Sequence, residues 1–162
     1  MSPPLPSRGR EDNVTNSRIA TWNLLDDMLK RSGIKHFTAR EIARASKANG
    51  VINGIPPGRL LGNIIPTLKM LEALRAGPLG GHPITVHSGY RSPAYNKAVG
   101  GVANSYHVKF MAIDFSVEGY TPKWLAKQLE PILAKFGIPG GIGIYKGFVH
   151  LDCRKARSRW NG

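Results

Sequence analysis

Two stretches in the second half of the chain, AIDFSV (112–117) and FVHLDC (148–153), alternate apolar with polar residues. Successive side chains of a strand point to opposite faces, so this pattern requires a sheet with one face given to the core. In the first stretch Ile113, Phe115 and Val117 fall on one side, and Ala112, Asp114 and Ser116 on the other. In the second, Val149 and Leu151 go to the core, while Phe148, His150 and Asp152 share the opposite face. His150 and Asp152 then point the same way, roughly 7 Å apart along the strand. If both strands belong to one sheet, Asp114, His150 and Asp152 cluster on one face. The loop leading into AIDFSV brings His107 to the same place.

Helical periodicity accounts for much of the rest. Ile19, Trp22, Leu25, Met28 and Leu29 recur at three- and four-residue steps, predicting an amphipathic helix over 19–30 that Gly33 stops. Thr38 with Glu41 has the form of a capping box and opens a second, short helix, with Asn49-Gly50 as its exit. The stripe Leu60, Leu61, Ile64, Ile65, Leu68, Leu71 and Leu74 predicts a core helix over 59–75, bent at Pro66 and ended by Gly77-Pro78. PITVHS reads as a strand and SPAYNKAVGG as one or two helical turns opened by Pro93. A helix runs from Thr121-Pro122 to Phe136, with Pro131 inside it. GGIGIYK pairs with FVHLDC as a hairpin across Lys146-Gly147, and KARSRWNG follows as a basic tail. Helices first and a small, mostly antiparallel sheet second make the fold class α+β. Residues 1–17, rich in Pro, Ser and charge, are expected to be a disordered basic arm and not a signal peptide, and 18–160 a single domain.

A chain of 162 residues with one cysteine, Cys153, has no internal disulfide and must rely on its core. At that length roughly 68–70% of the unfolded surface can be buried. Cys153 alternates onto the face opposite Asp152, as a small buried residue. Any metal site would rest on His and carboxylate. The 23 Lys and Arg against 10 Asp and Glu give a formal charge of +13, which predicts an anionic partner: nucleic acid, an anionic membrane surface, or a cell wall bearing anionic polymers. An apolar run of roughly 18 residues is absent, so no membrane span is expected.

Two imidazoles and one carboxylate are a donor set that catalytic zinc uses, and a further carboxylate nearby suits metal-assisted hydrolysis. The same residues also fit ordinary polar positions on a loop and a strand. From alternation alone both readings stay open.

The run SGYRSPAYNKAVGGVANSYH, then AID, then FVHLD, resembles the M15 family of zinc peptidases, the D-Ala-D-Ala carboxypeptidases and related peptidoglycan endopeptidases. The resemblance starts near residue 36 and runs to about Trp160. It implies a Hedgehog/DD-peptidase-like fold and one zinc ion held by His107, Asp114 and His150. It also places Arg91 and Ser105 beside the substrate's carboxylate or scissile carbonyl, where a guanidinium fork matches two oxygens. Two positions depart from the family pattern: Phe110 stands where many members have Gly, so the loop takes another path or the ring closes over the site. Gly147 stands where many carry the catalytic acid. Asp152 is then the candidate base, with orientation of a histidine ligand as its alternative role. Tyr145 is a candidate to hold an oxyanion or, alternatively, a packing residue. His36 and His82 have no matching role, and His87 is a candidate for contact behind the ligands. The glycines at 100, 101, 140, 141 and 143 read as turn and close-packing positions.

The function expected is that of a zinc-dependent peptidase acting on peptidoglycan stem or cross-bridge peptides. A phage-type lysin fits, cytoplasmic until released to the wall, or virion-associated, and monomeric. The alternatives are a catalytically inactive wall-binding module of the same fold and a basic nucleic-acid-binding protein.

Overall fold

The structure, a computed structural model, describes residues 8–162. Helix α1 spans Arg8–Arg31, with Glu11 in its first turn and Lys30 and Arg31 in its last, charges that complement the helix dipole. It buries Leu25 and Leu29, and its Trp22 Nε1–H donates to the Ala43 carbonyl at 2.9 Å. Residues 8–17, expected to be part of a disordered arm, are the first turns of this helix, exposed over 9–17. Residues 1–7 of that arm lie outside the described residues.

Helix α2 is a single turn, Ala39–Ile42, whose first N–H donates to Asp26 Oδ1 at 2.6 Å. Asn49-Gly50 does not end this helix. Both residues have positive φ, 48° and 79°, and form the turn of a two-stranded hairpin, β1 (Lys47–Ala48) with β2 (Val51–Ile52). Asn-Gly is the pair that a type I′ turn favours, and here the turn prevailed over the helix stop. The predicted bent helix is likewise two elements. A 3₁₀ segment, Gly58–Ile64, leads into α3 (Ile65–Ala76), and Pro66 sits in the first turn of α3. Its missing N–H is unpaired there in any helix, so the proline opens α3 and bends nothing.

The main sheet has the order β3-β4-β6-β5-β7, from Thr85–Ser88, Ala112–Ser116, Val149–Asp152, Gly141–Ile144 and Ser158–Asn161. Its pairs are antiparallel except β5 with β7, which are parallel. Strand β7 corrects the expectation of a free basic tail. Arg159 extends its guanidinium to Glu130 Oε2 at 2.9 Å and to the Gly140 carbonyl at 2.7 Å, pinning the end of the chain to the sheet. Glu130 belongs to α5 (Pro122–Phe136), which continues through Pro131 and ends at Gly137 with φ 66°.

One face of the sheet packs on α3 and α5. Ile113, Phe115, Val149, Leu151 and Ile142 meet Leu68, Leu71 and Leu74 of α3 and Leu125, Leu129 and Leu133 of α5 in one continuous core. This is the face that alternation assigned to the interior. The short helix α4 (Pro93–Ala98), capped by Ser92, lies beyond β3. Among the described residues no helix is long and apolar enough to cross a membrane.

Glu72 of α3 ties the loop after α1 to the core. Its Oε1 accepts the N–H groups of Lys35 and His36, each at 2.7 Å, and its Oε2 meets His36 Nδ1 at 2.6 Å. Burial would raise its pKa, but the hydrogen bonds from His36 and Lys35 outweigh burial and hold it below the ordinary carboxylate value. A depressed folded pKa adds stability that is present above the unfolded value and lost as pH falls through the folded one. Glu72→Gln is therefore expected to destabilise the protein by about 1 kcal/mol at pH 7, a gap that thermal melts should find closing below about pH 4.

Candidate functional site

The register of the central strands builds the site. Asp114 of β4 lies directly opposite His150 of β6, and Ala112 opposite Asp152. Alanine leaves space where Asp114 and His150 fill it. On the other side of β4 the register with β3 shifts between Val86 and Ser88, so Ser88 also opposes Asp114 and His87 is left unpaired.

His107 arrives from the tight turn before β4. Its N–H donates to Ser105 Oγ at 3.2 Å, and the N–H of Phe110 donates to the His107 carbonyl at 3.1 Å. Phe110 has φ 53°, the left-handed conformation that glycine adopts freely. Its ring is fully buried and packs edge-on against Tyr90, with centroids 5.6 Å apart. Phe110 thus does not close over the site: its ring belongs to the core, and that burial offsets the backbone strain.

The tautomers of both histidines follow from their outer partners. His107 Nδ1 lies 2.7 Å from the Gly89 carbonyl, which can only accept, so Nδ1 carries the proton and Nε2 presents a lone pair. His150 Nε2 lies 2.7 Å from Asp152 Oδ2, so Nε2 carries the proton and Nδ1 presents the lone pair. Both free nitrogens face the same oxygen, Asp114 Oδ1, at 3.1 Å and 2.9 Å. One donor atom from each of His107, Asp114 and His150 lies within 4.8 Å of the others, and all three residues are buried. Lone pairs brought together in this way repel unless a cation lies among them. The chemistry of this donor set, with the second nitrogen of each imidazole held from behind, fits a metal ion.

Asp152 occupies a different place from the one expected of a base. It is fully buried, it does not line the cleft described below, and its carboxylate is saturated. Oδ2 accepts from His150 and from Arg154 Nη2 at 2.6 Å, and Oδ1 from Arg154 Nε at 2.8 Å and the Arg154 N–H at 3.1 Å. Burial raises its pKa, but the bonds from Arg154 and His150 prevail and hold it well below the usual carboxylate range. This is the geometry of an orienting carboxylate behind a histidine.

The glycine alternation of β5 makes room for it. Gly141 faces Asp152 and Gly143 faces His150 across the strand pair. A Cβ at Gly141 would lie 2.5 Å from Asp152 Oδ2 and 2.6 Å from Arg154 Nε, and one at Gly143 2.5 Å from the Trp160 ring. Gly89 has a similar role: a Cβ there would lie 2.0 Å from the Ile42 carbonyl oxygen, so only glycine can bring its own carbonyl to His107. Gly141 and Gly143 read from the sequence as turn or close-packing positions, but not as support for the histidines, and Gly89 carried no such reading.

Above the cluster opens a cleft of 650 Å³. Arg91 lines it, with Nη2 3.2 Å from Asp114 Oδ2, Nε donating to Ser88 Oγ at 3.0 Å and Nη1 3.4 Å from Asn96 Oδ1. Ser105 and Tyr145 also line it, and Asp114 is the sole carboxylate among its lining residues. Tyr145 accepts Trp160 Nε1–H at 2.9 Å, which leaves its own hydroxyl proton free. Gly147 is exposed, with open space around it. The structure therefore brings His107, Asp114, His150, Arg91, Ser105 and Tyr145 together, and sets Asp152 behind them. His36 pairs with Glu72, His82 bonds the Leu79 carbonyl, and the exposed His87 meets Ser116 Oγ at 2.6 Å. None of these three touches the cluster. Trp160 and Arg154, which line the cleft, carried no sequence signal beyond a basic tail.

Burial would raise the Asp114 pKa, but the neighbouring imidazoles of His107 and His150 outweigh it and hold the group far below its ordinary value. For His107 burial dominates and lowers the pKa, favouring the neutral ligand form. For His150 burial acts in the same direction, but Asp114 and Asp152 on its two nitrogens raise it overall.

The profile of the M15 peptidase family matches residues 35–152, more than half of the chain. The chain belongs to the M15 peptidase family. Among curated proteins it is similar to the peptidoglycan L,D-endopeptidase MepK of Escherichia coli (strain K12), 35% identical over 82 residues. The Shigella flexneri protein of the same name matches equally. The matched region covers 46% of this chain and 42% of each relative, so the chain spans less than half the length of these proteins. The matched M15 segment contains every residue of the metal cluster and ends at Asp152, before Arg154 and β7.

Loss of a carboxylate behind a ligand histidine costs about 10–100-fold in metal affinity. Asp152→Asn is expected to weaken zinc binding by that much, measured by competition with a chromophoric chelator, while Asp26→Asn leaves it unchanged.

Proposed function

We propose that this M15 peptidase is a zinc-dependent enzyme hydrolysing peptide bonds in peptidoglycan stem or cross-bridge peptides. The observation that carries this reading is the convergence of two imidazole lone pairs and a carboxylate at the base of a cleft whose wall holds an arginine. His107, Asp114 and His150 are the proposed ligands of one zinc ion. A divalent ion there supplies Lewis-acid chemistry, polarising a carbonyl and acidifying water.

The chain's own groups do the rest. Arg91 is oriented by Ser88 and Asp114 and directs its remaining N–H donors at a substrate carboxylate or at the developing oxyanion. The free Tyr145 hydroxyl proton is a second donor to that oxyanion. Ser105 holds the turn that presents His107. Asp152 orients His150 and, sealed by Arg154, takes no proton from water. The arrangement of helices on the sheet is proposed to be of the Hedgehog/DD-peptidase type. A formal charge of +13 supports attraction to an anionic wall, and with it a phage-type lysin working as a monomer on the wall after release.

One observation favours a binding-only protein of this family instead: Gly147 carries no acid, and Asp114 is the sole carboxylate lining the cleft. Release of new amine groups from purified peptidoglycan separates the two. The expected result is release that stops with chelator and returns with zinc. Arg91→Ala is expected to lower kcat/KM by about 100-fold, as loss of an oxyanion donor does. Zinc bound at one per chain with no amine release would instead establish the binding-only protein.

A further inference from the structure

Trp160 lines the cleft from a strand outside the family-matched segment. Its ring occupies the space that Gly143 leaves open, with its centroid 5.1 Å from that of His150. Its Nε1–H donates to the Tyr145 hydroxyl at 2.9 Å, and Tyr145 stacks on Phe148 at 4.5 Å and 5°. On the other side the Arg154 guanidinium lies 5.1 Å over the indole and 4.2 Å over Tyr106. Side chains from the turn before β4, the β5–β6 hairpin and the end of the chain thus form one continuous ladder. Trp160 joins its two halves.

The chemistry of this ladder limits what lies on it. The charge of Arg154 is neutralised by Asp152, so the ladder offers ring faces and no free ion. The same cleft is lined by Val99 and Val102, 42% and 69% exposed, with Gly100 and Gly101 between them. An extended peptide advances about 3.3 Å per residue, so a group resting on an indole 5.1 Å from a ligand imidazole is within one or two residues of a bond held at the cluster. We infer that Trp160 is a substrate-contacting, specificity-determining residue, whose ring receives a small apolar side chain next to the scissile bond. This inference rests on the peptidase reading above. Acidic side chains are excluded from the ladder and drawn to Arg91.

The test uses the zinc-loaded chain of 162 residues, soluble cross-linked muropeptides as probe, and the variants Trp160→Ala and Trp160→Phe. Removal of the indole face is expected to raise KM about tenfold, leaving kcat within about twofold and zinc affinity unchanged, with Trp160→Phe restoring most of the loss. Chelated protein, which does not turn over, should show a muropeptide-dependent change in tryptophan emission that Trp160→Phe lacks, since Trp22 and Trp124 lie away from the cleft. An unchanged KM in Trp160→Ala, or an emission change that persists in Trp160→Phe, overturns the inference. If the wild-type protein hydrolyses nothing, the peptidase reading fails. The emission titration then still decides whether Trp160 contacts the ligand. If Trp160→Ala does not fold, Trp160→Phe in the same titration gives the decision.

Discussion

Everything at the site depends on the pairing of Asp114 with His150 across β4 and β6. A one-residue slip of either strand would turn its own polar side chain, Asp114 or His150, into the core and put Ile113 or Leu151 in the cleft. The register is held from the other face, where Phe115 and Val149 pair within the core formed by α3 and α5. The hydrophobic face of the sheet therefore positions the polar one. That division lets a cluster of ionisable groups be buried without unfolding the strands that carry it.

Burying such a cluster is unfavourable unless every polar atom has a partner. Here the partners are arranged in layers. Gly89 and Asp152 hold the outer nitrogens of the two histidines, Arg154 neutralises Asp152, and Arg91 faces the second oxygen of Asp114. What this leaves unmatched is the point toward which the lone pairs of His107 and His150 are directed. The outer layers thus supply a physical reason for a cation at that point. They also explain the pattern of glycines: Gly89 and Gly141 are the places where a Cβ would push a backbone or side-chain support away from a histidine.

Much of this was legible in the sequence because strand alternation is a strict rule. AIDFSV and FVHLDC alone set Asp114, His150 and Asp152 on one face, the loop leading into AIDFSV brought His107 to them, and the resemblance to M15 peptidases added Arg91 and Ser105. What alternation does not report is depth. Asp152 shares the face of His150 but lies beneath Arg154, because Gly141 lets that arginine fold over it, and of the two roles the sequence left open, base or orienting group, this burial favours the second. Local signals with two meanings caused the other differences. Asn49-Gly50 serves a helix end or a type I′ hairpin, and Pro66 serves a bend or a first turn. In both cases the tertiary partners decided. The basic tail became a strand through Arg159 and Glu130, residues 29 apart in sequence, a pairing no local pattern displays. Likewise Phe110 shows that a left-handed position can be filled by a large residue when a core pocket beside Tyr90 is there to receive it.

The central claim is that His107, Asp114 and His150 form a single metal site, and cobalt(II) titration of metal-free protein, followed by visible absorption, tests it most directly. The expected result is one cobalt per chain with bands characteristic of nitrogen and oxygen ligation, displaced by zinc and abolished in His107→Ala and in His150→Ala. Saturation at no defined stoichiometry, or a spectrum that survives both substitutions, would contradict it.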